Sequence, residues 1–269
     1  MGINWGLEAR KWQILMRPVQ RVSFFTAWKA VLSGLSFSLF LPNGVGEYVG
    51  RILYMREGNR LRSVPLTIVG SMSQLIVTLI AGIVGLIYLR SHILTPHKQL
   101  EGLSVFWLNG LMYAVIAGIL VFLLIYFKLS WFTRWFEKIP FVYKHRLLIQ
   151  SLEDFHWREL TRILILSLCR FSVFIVQYLL MLYIFSVDIY WLDAVCTTFV
   201  LFLMLAIIPT IPIADLGVRG EISIQLFGLL TKNVIGVVTA AASIWVVNLI
   251  IPALAGSLFI LGIKLFRNK

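Results

Sequence analysis

Cysteine, histidine and acidic residues are all scarce in this 269-residue chain. The two cysteines, Cys169 and Cys196, both lie in apolar stretches, which suits packing residues better than a disulfide, and two thiols make no metal site. The four histidines show no ligand spacing. There is no Gly-x-x-x-x-Gly-Lys-[Ser/Thr] loop, which excludes ATP hydrolysis by that route. There is no Gly-x-Ser-x-Gly or His-Glu-x-x-His pattern either. The N-terminal stretch has charge but no apolar core ahead of a cleavage site, so it does not read as a signal peptide. No soluble catalytic domain is expected before or after the apolar segments, and no cofactor is expected.

What the chain has in excess is apolar surface. Hydrophobic residues make up 59% of it, and mean hydropathy is +0.89. Its apolar runs are continuous rather than alternating, which predicts an all-α polytopic membrane protein and not a β-barrel. The 24 Lys and Arg against 12 Asp and Glu cluster in the gaps between those runs. That pattern fits cytoplasmic loops and anionic lipid surfaces rather than nucleic acid.

Leu66–Leu89 is a clear span, since its 24 residues reach roughly 36 Å at 1.5 Å each. Leu103–Phe127, Ile163–Phe185 and Gly236–Ile263 are others, the last bent at Pro252. Residues 1–21 are basic and amphipathic and read as an interfacial segment. Residues 128–160 mix Lys and Arg with Trp and Phe and read as an interfacial cytoplasmic connector. The second span carries Gly110, Ala114 and Gly118 at four-residue spacing, a face suited to close helix packing.

Two shorter apolar stretches, 23–40 and 194–208, each end in a proline-glycine interruption. The first is Pro42-Asn43-Gly44-Val45-Gly46-Glu47; the second runs from Pro212 through Gly217-Val218-Arg219-Gly220-Glu221. Placing basic loops in the cytoplasm puts 1–21, 51–62, 128–160 and the C-terminus inside, and 90–102 and 186–193 outside. By parity, regions 22–62 and 194–235 then become re-entrant hairpins. Three crossings lie between them, so they enter from opposite sides, which is an inverted repeat with two broken-helix hairpins. Charge at such breaks is costly and usually marks a binding or transport site.

The candidate site residues follow. Glu47 and Glu221 each open a short helix, where a carboxylate can cap the N-terminus or shape a polar site. Arg51 lies one turn after Glu47 and can pair with it. Asp215, Arg219 and Glu221 form a mixed cluster, and arginine suits bidentate contact with phosphate. Arg170 lies within the third span, where a charge is expensive unless it snorkels. Gln177 extends its polar face. Thr67, Ser71, Gln74 and Thr78 form a polar stripe on the first span, which serves either as helix glue or as cavity lining.

These residues bring a resemblance into view. Leu41-Pro42-x-Gly44-x-Gly46-Glu47-x-x-x-Arg51, Cys169-Arg170-Phe171 with Gln177-Tyr178, Ile211-Pro212 through Glu221, and Trp5-Gly6-Leu7-Glu8-Ala9 with Lys11-Trp12 resemble the transmembrane flippase-like domain of the lysylphosphatidylglycerol synthase family. The likeness covers nearly the whole chain. It implies a bacterial or archaeal cytoplasmic membrane protein that moves lipids, without the soluble aminoacyltransferase of fused members and shortened at its N-terminus.

The expected function is translocation of a phospholipid or lipid-linked anionic headgroup, with membrane phospholipids and a separate lipid-modifying enzyme as partners. Substrate contacts are expected from Glu47, Arg51, Gln74, Arg170, Gln177, Asp215, Arg219 and Glu221. The alternatives are an intramembrane lipid-modifying enzyme and a non-transporting scaffold for envelope assembly.

Overall fold

The computed structural model describes residues 1–41, 44–94, 105–128, 152 and 155–267, and every element among them is helical. In chain order these are α1 (Gly2–Leu15), α2 (Phe24–Ser38), α3 (Val45–Ile52), α4 (Arg60–Tyr88), α5 (Val105–Phe127), α6 (Trp157–Ile184), α7 (Trp191–Ile207), α8 (Pro212–Phe227), α9 (Val234–Trp245) and α10 (Ile251–Arg267). A π-helical turn, Leu89–Ile93, extends α4, and a second, Val246–Ile250, joins α9 to α10.

Among the described residues, four stretches are long and apolar enough to cross a membrane: Glu57–Ile93, Trp107–Phe127, Trp157–Ile184 and Val234–Gly262. They coincide with the four spans expected from the apolar runs. The chain is therefore an all-helical, multi-pass membrane protein. Pro252 has no N–H to give the carbonyl one turn back, and the π turn carrying Asn248 stands in that place.

Two apolar clusters are stacked along the bundle. One joins α1 and α2 to the first half of α4 and to Leu160 and Ile163 of α6. The other joins the second half of α4 to α5, the end of α6, and α7 to α9. Helices α4 and α6 run through both, so the polar residues midway along them lie between the two clusters.

Helices α2 and α3 form an antiparallel hairpin. Its turn includes Gly44 at φ 70°, a left-handed conformation that glycine adopts without strain. The two helices touch backbone to backbone. A Cβ on Gly46 would strike the main chain at Phe37 and Ser38, and one on Gly50 would strike Gly34. Pro42 and Asn43 of the expected breaker, and most of the 128–160 connector, fall outside the described residues.

Three expectations need correction. Residues 1–21 do not lie on the surface as an amphipathic segment. Asn4, Glu8, Lys11, Trp12 and Leu15 are buried, and α1 packs against α2, α4 and α6. The amphipathic pattern misleads because the polar face of α1 finds charged partners inside the bundle.

The second interruption also lies earlier than expected, at residues 208–211. Pro212 sits at the start of α8, where its fixed φ favours helix and its missing N–H costs nothing. Gly217 and Gly220 are helical, each at a cost of only about 1 kcal/mol relative to alanine. Glu221 therefore lies in mid-helix and opens no helix; Asp215 occupies the first turn instead.

The small-residue face of α5 packs against nothing among the described residues: Gly110 and Gly118 have open space where a Cβ would stand.

Candidate functional site

A cavity of about 500 Å³ opens where α3, α4, α6, α7, α8 and the α9–α10 junction converge. Glu47, Gln74, Arg170, Asp215 and Arg219 line it, together with Thr78, Asn248 and the aromatic rings of Phe171, Phe174, Phe202 and Trp245. The two interrupted stretches thus contribute charged residues to one space. Arg51 stands behind Glu47, buried, and does not line the cavity. Gln177 stands behind Asn248, whose amide donates to Gln177 Oε1 at 3.4 Å. Glu221 is exposed, accepts a hydrogen bond from Gln225 at 3.0 Å, and lies outside the lining.

The charges are organised around Glu8. Its carboxylate meets Lys11 Nζ at 2.8 Å, Arg170 Nη1 at 2.9 Å and Arg51 Nη2 at 3.0 Å. Arg51 Nη2 also reaches Glu47 Oε2 at 2.7 Å. Arg170 Nε donates to Asn4 Oδ1 at 2.7 Å, and its guanidinium lies over the Phe174 ring at 5.3 Å. Arg170 therefore does not snorkel. It is tied to α1, at the edge of the cavity.

Buried charges persist only when paired, and this network supplies the partners. It holds three basic groups against two carboxylates. The α1 helix is not among the stretches that can span the membrane. Burial alone would raise the Glu8 carboxyl, but Lys11, Arg170 and Arg51 overcome it and hold the group far below the usual carboxylate range.

On the opposite wall, Asp215 Oδ2 meets Arg219 Nη2 at 3.1 Å, one helical turn apart. This pair is charge-neutral, so the basic excess sits on the Glu8 side.

The polar stripe on α4 divides into two uses. Thr67 accepts a hydrogen bond from Trp12 Nε1 at 3.3 Å, and Tyr48 bonds Ser71 at 3.2 Å, so these two act as glue. Further along, Gln74 and Thr78 face the cavity. Gln74 Oε1 and Arg219 Nε are buried and have no hydrogen-bond partner among the described residues. Buried polar groups are nearly always satisfied, so both stand out as having unused bonding capacity on residues that line the cavity.

Asn4, Glu8, Lys11 and Asn248 are the site residues that the sequence reading missed. A signal for the first three was present: positions 4, 8 and 11, with Trp12 and Leu15, share one helix face. Asn248 could have been found as the residue four before Pro252, whose carbonyl loses its helical donor. Among the described residues no group of three His, Cys, Asp or Glu is placed to hold a metal ion.

No curated protein and no solved structure matches the chain at a significant level. The family model for the lysylphosphatidylglycerol synthase TM region matches residues 1–261. The motifs at Glu8, Glu47–Arg51, Arg170 and Pro212–Arg219 that form the cavity and its ion network all lie within that match, and the chain belongs to the family of lysylphosphatidylglycerol synthase transmembrane regions.

Proposed function

We propose that this protein translocates a phospholipid, or a lipid-linked anionic headgroup, between the leaflets of the cytoplasmic membrane. The headgroup would pass through the cavity while the acyl chains stay in lipid. Helices α2–α3 and α7–α8 act in this reading as re-entrant hairpins entering from opposite sides, the two halves of an inverted repeat. The basic loops and the C-terminus face the cytoplasm.

The observation that carries the reading is the convergence of Glu47, Arg170, Asp215 and Arg219 on one cavity, together with the basic excess around Glu8. Each arginine already holds a carboxylate: Arg170 holds Glu8, and Arg219 holds Asp215. An incoming phosphate exchanges for a carboxylate partner, so no guanidinium is bare at any stage. Exchange between paired states costs far less than exposing an unpaired charge in a medium of low dielectric. Aromatic walls exclude water and strengthen each contact.

The test is a fluorescent-lipid flipping assay in proteoliposomes. Arg170→Gln, Asp215→Asn and Glu47→Gln should each slow flipping about tenfold, the equivalent of one lost charged hydrogen bond. Glu221→Gln should leave the rate within about twofold, since its group lies outside the cavity. Rates for the three cavity variants equal to that of the unmodified protein would refute the proposal.

A further inference from the structure

A second cavity, of about 480 Å³, lies at the loop joining α6 to α7, away from the central one. Tyr183, Asp188, Tyr190 and Trp191 are among its lining residues. All three rings are well exposed, and those of Tyr190 and Trp191 stand 6.0 Å apart at 52°, forming a bent aromatic wall. Its character differs from that of the central site: three electron-rich rings, one carboxylate and no basic residue in the lining.

The loop that carries Asp188 is built rather than loose. Helix α6 ends in a Schellman arrangement. Val187 N–H donates to Leu182 O at 2.9 Å, and Ser186 N–H donates to Tyr183 O at 3.1 Å. Ser186 takes the left-handed position at φ 53°, normally given to glycine. The apolar contact of that motif is present, with Val187 and Leu182 buried in one cluster. Asn233 then locks the turn from the neighbouring α8–α9 connection. Its amide donates to Phe185 O at 3.2 Å and Ser186 O at 3.0 Å, while its own oxygen caps Gly236 N–H at 2.9 Å.

Of the two acids near this end, Asp193 is engaged by Tyr88 OH at 2.8 Å. Asp188 is exposed and has no ion pair or hydrogen bond among the described residues.

We infer that this cavity binds an organic ammonium group, carried by an amine-bearing lipid headgroup at the membrane interface. A carboxylate beside aromatic faces is the chemistry that recognises ammonium ions, because ring quadrupoles and the anion attract the same charge. The neighbouring half-buried apolar side chains Leu179 and Ile189 would meet the start of the acyl chains. A fixed loop removes the ordering cost of binding. This site does not depend on the translocation reading, because it shares no residue with the central cavity.

The experiment is native mass spectrometry of the full chain in detergent, titrated with phosphatidylethanolamine and phosphatidylglycerol of identical acyl chains. Phosphatidylethanolamine should bind about fivefold more tightly. Asp188→Asn and Trp191→Leu should each abolish that preference, and Glu221→Gln, outside both cavities, should retain it. Tetramethylammonium chloride is the soluble arm. Competition by it assigns recognition to the ammonium alone. An Asp188-dependent preference that resists competition assigns recognition to the ammonium as borne by the lipid. The inference is overturned by equal binding of the two lipids. It is equally overturned by a preference that survives Asp188→Asn, the behaviour of an interfacial aromatic belt only.

Discussion

Glu8 and Arg170 stand 162 residues apart in sequence and 2.9 Å apart in space. That contact ties α1 to the middle of α6. Because Glu8 also holds Arg51, α3 is drawn into the same knot. Three separate segments thereby set the position of one guanidinium at the edge of the central cavity.

Removing Glu8 leaves Lys11, Arg51 and Arg170 without their common partner. Glu8→Ala should therefore destabilise the protein by about 3–5 kcal/mol, the range for breaking a buried pair from one side. Adding Arg170→Met to that variant should cost less than the two single losses summed, since the second change removes a charge already stranded. Chemical denaturation in mild detergent reads both effects. A Glu8→Ala variant as stable as the parent would show that the network carries no energy.

Acid should act through the same carboxyl. Its folded value is depressed, so its stabilising contribution is fully present above the ordinary carboxyl value of 4.5. The unfolded chain takes up the proton first as pH falls below that value. The contribution then shrinks, and it is gone once pH has passed through the folded value. Melting temperature should decline between about pH 5 and pH 3, and Glu8→Gln should flatten that slope. A decline of equal steepness in the variant would place the acid sensitivity elsewhere.

The glycines of α2–α3 and α5 make opposite predictions for one substitution. A Cβ on Gly46 or Gly50 would meet main-chain atoms of α2, which cannot rotate away. Gly50→Ala should cost about 1–3 kcal/mol despite alanine's better helix propensity. Gly110→Ala and Gly118→Ala meet open space and should be neutral, or stabilising by up to about 1 kcal/mol. Thermal unfolding of the three variants distinguishes them, and a Gly110→Ala loss as large as that of Gly50→Ala would show that α5 is packed on that face.

Much of this molecule can be read directly from residue order. The spans are legible because a continuous apolar run of sufficient length has one good solution in a bilayer, whatever surrounds it. The first break and the place of Glu47 in the opening turn of α3 are legible because glycine chemistry is local. Arg170 stands out for a similar reason: a charge in an apolar helix needs an explanation before its partner is known.

Tertiary structure decided the partners. Sharing a helix face with Trp12 and Leu15 marks Glu8 as able to turn inward, but nothing in the order of residues says that it meets Arg51 and Arg170 there. Ion pairing over such a separation depends on which helix faces come together in three dimensions. The same holds for the α4 stripe, where equivalent spacing yields glue at Thr67 and cavity lining at Gln74. It holds again for the second interruption, where Pro212 opened a helix that ran through two glycines and carried Asp215, not Glu221, to its first turn. Local propensity sets where a chain can bend; burial and charge pairing among distant segments select which of those bends is used.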